Sequence, residues 1–481
     1  MKLLVHKKAI PAMIGVIYQN PIMEERQMNQ ARKPHRLRPQ AKSLLDSVRD
    51  FLTPEVFKQV RKAANRRKVP RWDLHPLLYL LLISTWCCGE SLPEKFEAAK
   101  AFYVVSCPKR KRPGSTFAGF EKAVAKLPMP ALRTLAAAIR GRIETLFGAR
   151  LLVNGFIPLG CDGTRLECPR SEALEKDVGT FGKDGSPPML WNTSIIHLAL
   201  GIPWCWRWGR GGKASERAHL IFMLKWLPKL ALVVTDAGYV GYDVVRALVA
   251  AEVDFLIRMS SNATFYADEE GLELSSFREG IVYYWPKSIR DQGKPPLRGR
   301  LICIHSHRTK RDVWLLTNVE EPQRLLVETA GLFYRWRWEN EGFFRTYKRT
   351  MKKLKFMSRT VRLVHREAEA SMIATQLLLC QGALAMPVAK EETSPVLCSP
   401  RRVLLEIRKY LACLPRTLRP FGERITQATR ERRIRSSPKE KREWPRRKPH
   451  QPPNPPVILK LTAELKTLIQ NHLPITQNTK T

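Results

Sequence analysis

The chain has 481 residues, of which 44% are hydrophobic, so it can bury a sizeable core and its length suggests two or three domains. Its 83 lysines and arginines outnumber its 44 acidic residues and give a formal net charge of +39, which makes nucleic acid the first partner to consider. Composition alone leaves a membrane surface or acidic ribosomal surroundings open as other partners.

The cysteines and the apolar segments exclude several classes of protein. The ten cysteines are scattered and do not form the two CxxC pairs that a structural zinc site requires, so we expect reduced thiols. The most apolar stretch, from Leu77 to Cys88, is too short to span a bilayer and predicts a buried helix. The first residues make a poor signal peptide, because Lys7, Lys8 and Pro11 interrupt the run. We therefore expect a cytoplasmic protein.

The N-terminal part of the chain divides into an arm and a helical region. Residues 1–40 show no sustained period and predict a flexible arm. Across residues 41–150 apolar side chains recur at helical spacing, for example from Ala131 to Leu146, and predict an all-helical N-terminal domain.

A basic cluster precedes one of these predicted helices. Lys109–Arg112 is followed by Ser115, a candidate N-cap for a helix that runs from Thr116 to Ala125. A basic loop before a capped helix can enter a DNA groove. More often such a pairing is a solvated loop before a core helix, and the sequence leaves both interpretations open.

From residue 151 the pattern changes to short apolar strands separated by helices. Three strands, a helix, a strand, a helix and a strand form an α/β layer in the order of a ribonuclease-H-like core, which we predict over residues 151–262 and 320–385. The predicted elements are, in chain order, Leu151–Cys161, Trp191–Leu200, Ile202–Trp208, Arg217–Leu227, Leu230–Thr235, Tyr242–Val253 and Phe255–Met259.

Three further regions complete the predicted architecture. Residues 263–319 are rich in polar turns and short strands and predict a β-rich insertion in the core. Continuous helices are predicted over Leu332–Lys355 and Val361–Cys380. Residues 386–481 form a basic, proline-rich tail. Within it, the basic linker from Arg430 to Lys448 is expected to be disordered, and Leu459–Leu473 is expected to form one short helix.

The segment with the clearest chemical signal lies on the first of these helices. At about 100° per residue, Tyr334, Arg337, Glu341 and Lys348 share one narrow face, whereas Glu339 falls on the far side. A phosphodiester site needs a carboxylate that holds a metal ion. Beside it, a phenol and two cations can bind the phosphates. Solvated charges on an amphipathic helix are the alternative.

The spacing Tyr-x2-Arg-x3-Glu-x6-Lys resembles the Tyr-Arg-Glu-Lys signature of a large family of bacterial insertion-sequence transposases. Asp162, in Asp-Gly-Thr after an apolar run, and Asp236, in Asp-Ala-Gly-Tyr at the end of another, stand where that family has its two aspartates. Each motif alone is usually a turn. Their order and strand context favour a joint site, and the resemblance covers about residues 40–385.

The resemblance implies a DNA transposase with Asp162, Asp236 and Glu341 as catalytic, metal-binding carboxylates. They would hold two Mg²⁺ ions about 3.5 to 4 Å apart, which Mn²⁺ can replace, while Tyr334, Arg337 and Lys348 would contact DNA phosphates. The expected partners are transposon ends and target DNA. The resemblance also implies that the helical domain over residues 41–150 helps bind the transposon ends. We expect a homodimer in the end complex and a nucleoid-associated location in a bacterial cell.

Two other functions stay open at this stage. A non-catalytic DNA-binding protein descended from a transposase would keep the basic surface and the fold. A ribonuclease-H-like nuclease would cut without joining strands, and it would have no need of the Tyr334, Arg337 and Lys348 pattern.

Overall fold

The structure is a computed structural model of the 481-residue chain. The predicted flexible arm and the basic stretch between Arg430 and Lys448 lie outside the residues that it describes. The described residues are 43–65, 72–181, 185–211, 214–267, 273–306, 311–386, 398–412, 421–426 and 454–472.

Helices occupy the N-terminal part of the described chain, where the sequence has its helical spacing. α3 is built from the most apolar stretch and is buried on nearly every side. None of the helices in the described ranges combines the length and apolarity that crossing a membrane requires. The bounds are α1 (Leu44–Arg49), α2 (Pro54–Ala64), α3 (Leu74–Trp86), α4 (Leu92–Ser106), α5 (Phe117–Ala125) and α6 (Met129–Phe147).

The predicted cap of α5 is wrong by one residue. Thr116, not Ser115, has the extended backbone conformation of an N-cap, with φ −106° and ψ 142°. Its side chain accepts a hydrogen bond from the backbone N–H of Gly119 at 3.2 Å, three residues into the turn. The helix therefore begins at Phe117.

The C-terminal two thirds of the chain alternates strands and helices. The strands are β1 (Ile157–Glu167), β2 (Met189–His197), β3 (Ile202–Arg210), β4 (Ala231–Thr235), β5 (Asp254–Met259), β6 (Thr264–Ala267), β7 (Glu279–Tyr284), β8 (Leu297–Ser306), β9 (Arg311–Thr317) and β10 (Val457–Lys460). The helices are α7 (Glu172–Val178), α8 (Glu216–Met223), α9 (Tyr242–Ala250), α10 (Lys287–Arg290), α11 (Val327–Trp336), α12 (Glu339–Arg345), α13 (Val361–Ala385), α14 (Pro400–Ala412), α15 (Phe421–Ile425) and α16 (Ala463–His472).

The strands of the described residues form one ten-stranded sheet in the order β10-β6-β7-β8-β9-β5-β4-β1-β2-β3. β1, β2 and β3 are antiparallel neighbours, whereas β4 pairs in parallel with both β1 and β5. β9 pairs with β5, so the β-rich region over residues 263–319 continues the same sheet. The protein is thus a mixed α/β fold with a large sheet and many helices.

The polar half of β1 departs from the sequence prediction. The predicted strand ended at Cys161, but β1 begins at Ile157 and runs to Glu167. Its apolar, buried half does end at Cys161. The backbone continues because β2 pairs with it along the whole polar half, as far as Met189 opposite Glu167. Asp162 therefore lies inside a strand rather than at its end.

The C-terminal region contains more regular structure than the sequence predicts. α14 and α15 fall within the predicted tail, and α14 buries Val403 and Ile407. The predicted helix over Leu459–Leu473 corresponds to α16, which begins four residues later than predicted, and the residues Val457–Lys460 before it form the strand β10. Val457 and Ile458 favour a strand, and the Thr462 hydroxyl caps α16 by accepting from the N–H of Leu465.

α13 is the helix around which the helical part and the sheet pack. It has 25 residues and is buried on all sides over most of its length. Ala374 accepts a hydrogen bond from Trp86 of α3 at 3.1 Å, and the Gln376 amide donates to the carbonyl of Pro203 in β3 at 2.7 Å. These bonds hold the N-terminal helices and the β3 edge of the sheet to one element.

Candidate active site

Asp162 and Asp236 are placed together by the pairing of two parallel strands. β1 and β4 are in register, with Gly160 opposite Val234, so the two aspartates, two residues further along each strand direction, lie at the same level. Each carboxylate accepts a backbone hydrogen bond close to itself, from Gly163 at 2.8 Å and from Gly238 at 2.9 Å. Local turns and strands therefore fix both side chains without a partner from elsewhere.

The electrostatics of Asp162 identify its neighbours. Burial, together with the nearby charges of Asp236 and Glu216, raises the pKa of Asp162 to about 6. The backbone hydrogen bond from Gly163 and the positive charge of Arg337 act in the opposite direction. Asp162 is thus a carboxyl group surrounded by more negative than positive charge.

Glu216 is a neighbour that the sequence analysis missed. It is the first residue of α8, and its Oε1 accepts a hydrogen bond from the indole Nε1 of Trp191 on β2 at 3.0 Å. The carboxylate lies in the space that a side chain on Gly163 would need. Burial and the charge of Asp236 raise the pKa of Glu216. The only sequence signal was the Ser215 cap, which locates the helix but not its contact with β1.

The predicted helix over Leu332–Lys355 is wrong as a continuous helix. Hydrogen bonds change from four-residue to three-residue spacing where α11 meets α12, with Trp338 bonding to Arg335 and Asn340 to Arg337. Residues Thr346–Thr350 then form a π-helical turn with five-residue spacing. A constant 100° per residue does not describe such a segment, so the predicted common face does not follow from the helix geometry.

The structure distributes the four signature residues over three local elements. Tyr334 lies on α11, Arg337 at its end, Glu341 on α12 and Lys348 in the π-helical turn. Arg337 is buried, with its guanidinium 5.5 Å from the Tyr334 ring and 5.0 Å from the ring of Trp338. Burial lowers the pKa of Lys348. Arg337 is the signature residue that acts on the charge of Asp162.

Asn340 brings α12 against the strand that carries Asp162. Its amide lies in contact with Gly160, where an added Cβ would be 2.7 Å from the amide nitrogen, so a glycine is needed at this position. Asn340 is buried, whereas Glu341 beside it is exposed. No sequence pattern indicates Asn340, and only the close packing of α12 on β1 reveals it.

Within the described ranges, no three acidic, histidine or cysteine side chains lie close enough together to hold one metal ion. The charges that act on the pKa of Asp162 are those of Asp236, Glu216 and Arg337, so the structure brings these four residues together. The role of Glu341 as the third carboxylate stays a prediction.

Several buried donors near these residues have no acceptor in the part of the chain that the structure describes. They are the Tyr334 hydroxyl, the Arg337 Nε and the Asn340 Nδ2. Buried polar atoms are almost always hydrogen-bonded in native proteins, so a group of orphaned donors calls for an explanation. An anionic ligand with several oxygen acceptors would satisfy them.

Comparison with known proteins identifies part of this region. Residues 209–377 match the family model of the transposase DDE domain, a segment that includes Asp236, α11 and α12 but begins after Asp162. It covers about a third of the 481 residues. No curated protein sequence matches the chain.

Among solved structures, a cryo-EM structure of a piggyBac transposase synaptic complex with hairpin DNA is similar, with a TM-score of 0.41 and 10% sequence identity. The similarity covers 82% of this chain and 87% of that chain. The segment over residues 209–377 is thus similar to a transposase DDE domain, and this match supports a DDE transposase family for the chain.

Proposed function

We propose that the protein is a DNA transposase that cleaves strands at transposon ends and joins the freed 3′-hydroxyls to target DNA. The observation that carries the proposal is the placement of Asp162 and Asp236 at one level of two adjacent parallel strands, close enough for one carboxylate to raise the pKa of the other. The match to a transposase DDE domain supports the same function.

The strand order supports a ribonuclease-H-like catalytic core. Three antiparallel strands, β1 to β3, are followed by the parallel strands β4 and β5, with α8 and α9 between them in the chain. We assign this core to residues 151–262 and 320–385 and the β-rich insertion to residues 263–319. Residues 41–150 are the proposed DNA-binding domain. The arm over residues 1–40 precedes this domain, and the tail over residues 386–481 follows the catalytic core.

Mg²⁺ is the proposed cofactor, and Mn²⁺ can replace it. The residues fit a divalent cation, because Asp162 is a buried carboxyl whose pKa burial and two neighbouring acids raise to about 6. Asp162, Asp236 and Glu341 would hold the metal, with all-oxygen ligands of the kind that magnesium prefers. Bound there, two ions would supply activation of water or a 3′-hydroxyl and stabilisation of the leaving oxygen.

The chain's own basic residues would hold the DNA backbone. A phosphate beside Asp162 would give acceptors to the orphaned donors of Tyr334 and Arg337. Arg337 is fixed by burial between two aromatic rings, so its planar guanidinium is already oriented for a phosphate. Lys348 is half-buried, and a phosphate contact would offset the burial that lowers its pKa.

DNA is the proposed partner, both as transposon ends and as target, and the net charge of +39 supports it. Cleavage and joining of two ends require both to be held together, so we propose a homodimer in the end complex. A bacterial insertion-sequence origin and a nucleoid-associated location in the cytoplasm remain predictions from the sequence.

The test is a cleavage assay with purified full-length protein, Mg²⁺ and DNA that carries the ends of the element encoding it. Asp162→Ala, Asp236→Ala and Glu341→Ala should each abolish metal-dependent nicking. Glu339→Ala is the matched control on the same helix and should keep it. Loss of nicking in Glu339→Ala with retention in Glu341→Ala would overturn the assignment of the third carboxylate.

The second candidate is a non-catalytic DNA-binding protein derived from a transposase. The exposed side chain of Glu341 is the observation in its favour. Binding of the ends without cleavage by the parent protein would favour this candidate. Cleavage without strand joining would instead favour a ribonuclease-H-like nuclease.

A further inference from the structure

A cavity of about 840 Å³ lies at the β3 edge of the sheet. The walls of the cavity come from α6, β3, α13, α8 and the turn that follows α8. Asp162, Asp236 and Glu341 do not line the cavity. The volume is in the range of small-molecule sites. The cavity is therefore a second concave site, separate from the carboxylates.

Three arginines give the cavity an excess of positive charge. Arg133 and Arg140 project from α6 and Arg207 from β3, and within the described ranges none has an acidic oxygen within 4.0 Å. Burial and the adjacent charge of Arg133 lower the pKa of Arg207. In contrast, Arg210 at the same cavity pairs with Asp177 at 3.6 Å. Unpaired guanidinium groups that repel one another favour an anionic ligand.

Aromatic rings lie directly beside these arginines. Phe222 and Trp226 meet edge to face, with ring centroids 5.2 Å apart. The guanidinium of Arg207 is 3.6 Å from the Phe222 ring centre, and that of Arg140 is 5.8 Å from the Trp226 ring centre. Phe222 is 37% exposed. Basic groups alternating with accessible rings are typical of sites that stack nucleobases and hold their phosphates.

The wall formed by β3 and α13 is polar at its deepest part. Glu369 is 5% exposed and accepts a hydrogen bond from the indole of Trp206 at 3.1 Å. Burial raises the pKa of Glu369, whereas the indoles of Trp206 and Trp208, which both face this carboxylate, act in the opposite direction. A buried carboxylate has acceptor capacity left for the polar edge of a planar base, and it does not suit an alkyl chain.

We propose that this cavity binds one unpaired nucleotide of a DNA strand. The phosphate would lie at Arg133, Arg140 and Arg207, and the base would stack on Phe222 or Trp226 with its polar edge toward Glu369. An acidic peptide would use the arginines but leave the rings and the polar wall without a role. The inference rests on the proposed function in taking DNA as the ligand, and it requires no cleavage.

The experiment measures binding of a fluorescein-labelled dodecathymidylate to the full chain by anisotropy, in EDTA and at several salt concentrations. Arg133→Ala combined with Arg207→Ala should lower the slope of log K against log salt by about 0.7 for each phosphate that the variant no longer neutralises. Phe222→Ala should weaken binding about fivefold or more and leave that slope unchanged, because it removes a stacking ring and no charge.

Arg401→Ala provides a matched control, since Arg401 is exposed on α14 and does not line the cavity. It should leave both affinity and salt slope as in the parent protein. Equal binding by Phe222→Ala and the parent, or competition by polyglutamate as strong as that by the oligonucleotide, would overturn the proposal. If the double variant fails to fold, Arg133→Gln tests the same charge at an exposed position.

The outcomes separate this inference from the proposed transposase function. A parent protein that does not cleave DNA but binds the oligonucleotide through Phe222 and the arginines would overturn the proposed function alone. A parent that cleaves in Mg²⁺ but binds the oligonucleotide equally well in all cavity variants would overturn this inference alone.

Discussion

The strand pair β1 and β4 and the segment from α11 to the π-helical turn place their functional residues by different physical means. In the strand pair, the parallel register of β1 and β4, with Gly160 opposite Val234, brings Asp162 and Asp236 to the same level. In the helical segment, the hydrogen-bond spacing changes twice between Tyr334 and Lys348. A strand register can be inferred from two short motifs. In contrast, the relative direction of two side chains on a helix depends on the hydrogen-bond spacing of every residue between them.

This difference explains why Asp162 and Asp236 lie together, whereas the signature residues from Tyr334 to Lys348 are spread over three local elements. Asp162 and Asp236 need only a local turn and a register that the sheet enforces. Glu341 depends on how α12 packs, and that packing is set by Asn340 against Gly160. The strand pair should therefore tolerate changes in the helical segment, and variants of the two regions should affect activity and stability independently.

Replacing a carboxylate of the strand pair should have the largest effect on activity. Asp162→Asn should reduce Mg²⁺-dependent cleavage on the order of 1,000-fold or more, because it removes a metal ligand. The same variant should raise the melting temperature of the metal-free protein by about 2–4 °C, since burial and two acidic neighbours disfavour the charged form. Thermal unfolding in EDTA measures this gain. Cleavage within tenfold of the parent would contradict the role of Asp162.

Replacing Glu341 on α12 should separate catalysis from binding. Glu341→Gln should lower cleavage by about 100-fold or more but keep binding of the transposon ends, because it removes a metal ligand without removing a phosphate contact. Gel-shift titration beside the cleavage assay distinguishes the two effects, and Glu339→Gln is the control. Weak end binding by Glu341→Gln would count against the assignment.

A buried ion pair holds the chain that leaves the π-helical turn. Lys353 donates to Glu367 of α13 at 2.6 Å, and the N–H groups of Met357 and Ser358 also donate to this carboxylate. Glu367→Gln should cost about 3–5 kcal/mol of stability, because it leaves the Lys353 charge buried and unpaired. Denaturant unfolding at pH 7 measures this cost.

The same pair gives a pH dependence with a defined sign. Burial alone would raise the pKa of Glu367, but the charge of Lys353 and the hydrogen bonds lower it below the ordinary value of 4.5. The stability that Glu367 contributes is therefore present above about pH 4.5 and is lost as the pH falls below that value.

Hydrogen exchange of Glu367→Gln should speed up near residues 346–358 and stay slow in β1 and β4. Equal acceleration in both regions would refute their independence.

Removing Lys348 should have the smallest effect. Lys348→Ala should weaken end binding a few-fold and lower the salt dependence of log K by about 0.9, the value for one duplex phosphate that is no longer neutralised. Filter binding at several salt concentrations measures both quantities. A salt slope identical to that of the parent protein would exclude a phosphate contact.

Secondary structure was predictable wherever the apolar residues followed a single helix or strand period. The core strands from β1 to β5 and the strands β7, β8 and β9 follow the apolar runs of the sequence, although β1 extends beyond its apolar half. The continuity of the sheet from β5 into β9 was not predictable. A short apolar strand carries no signal that tells which other strand it will pair with.

The site was predictable where residues close in sequence determine it. The motifs around Asp162 and Asp236 indicated two turns at strand positions, and the structure places both aspartates together. Glu216 and Asn340 were missed because each acts through a contact with a glycine of β1 from a distant part of the chain. Such contacts appear only when the helices are packed on the sheet.

β10 and α16 give the C-terminal residues a consequence for solubility. β10 completes the outer edge of the sheet beside β6, and α16 covers the buried Trp285 with Ile469 and with the ring of His472, 5.6 Å away. A chain ending before residue 454 would expose the unpaired backbone groups of β6 and a bare indole. β10 is itself an edge strand of the sheet, so the effect of this segment on solubility comes from α16, which keeps the Trp285 ring out of contact with other molecules.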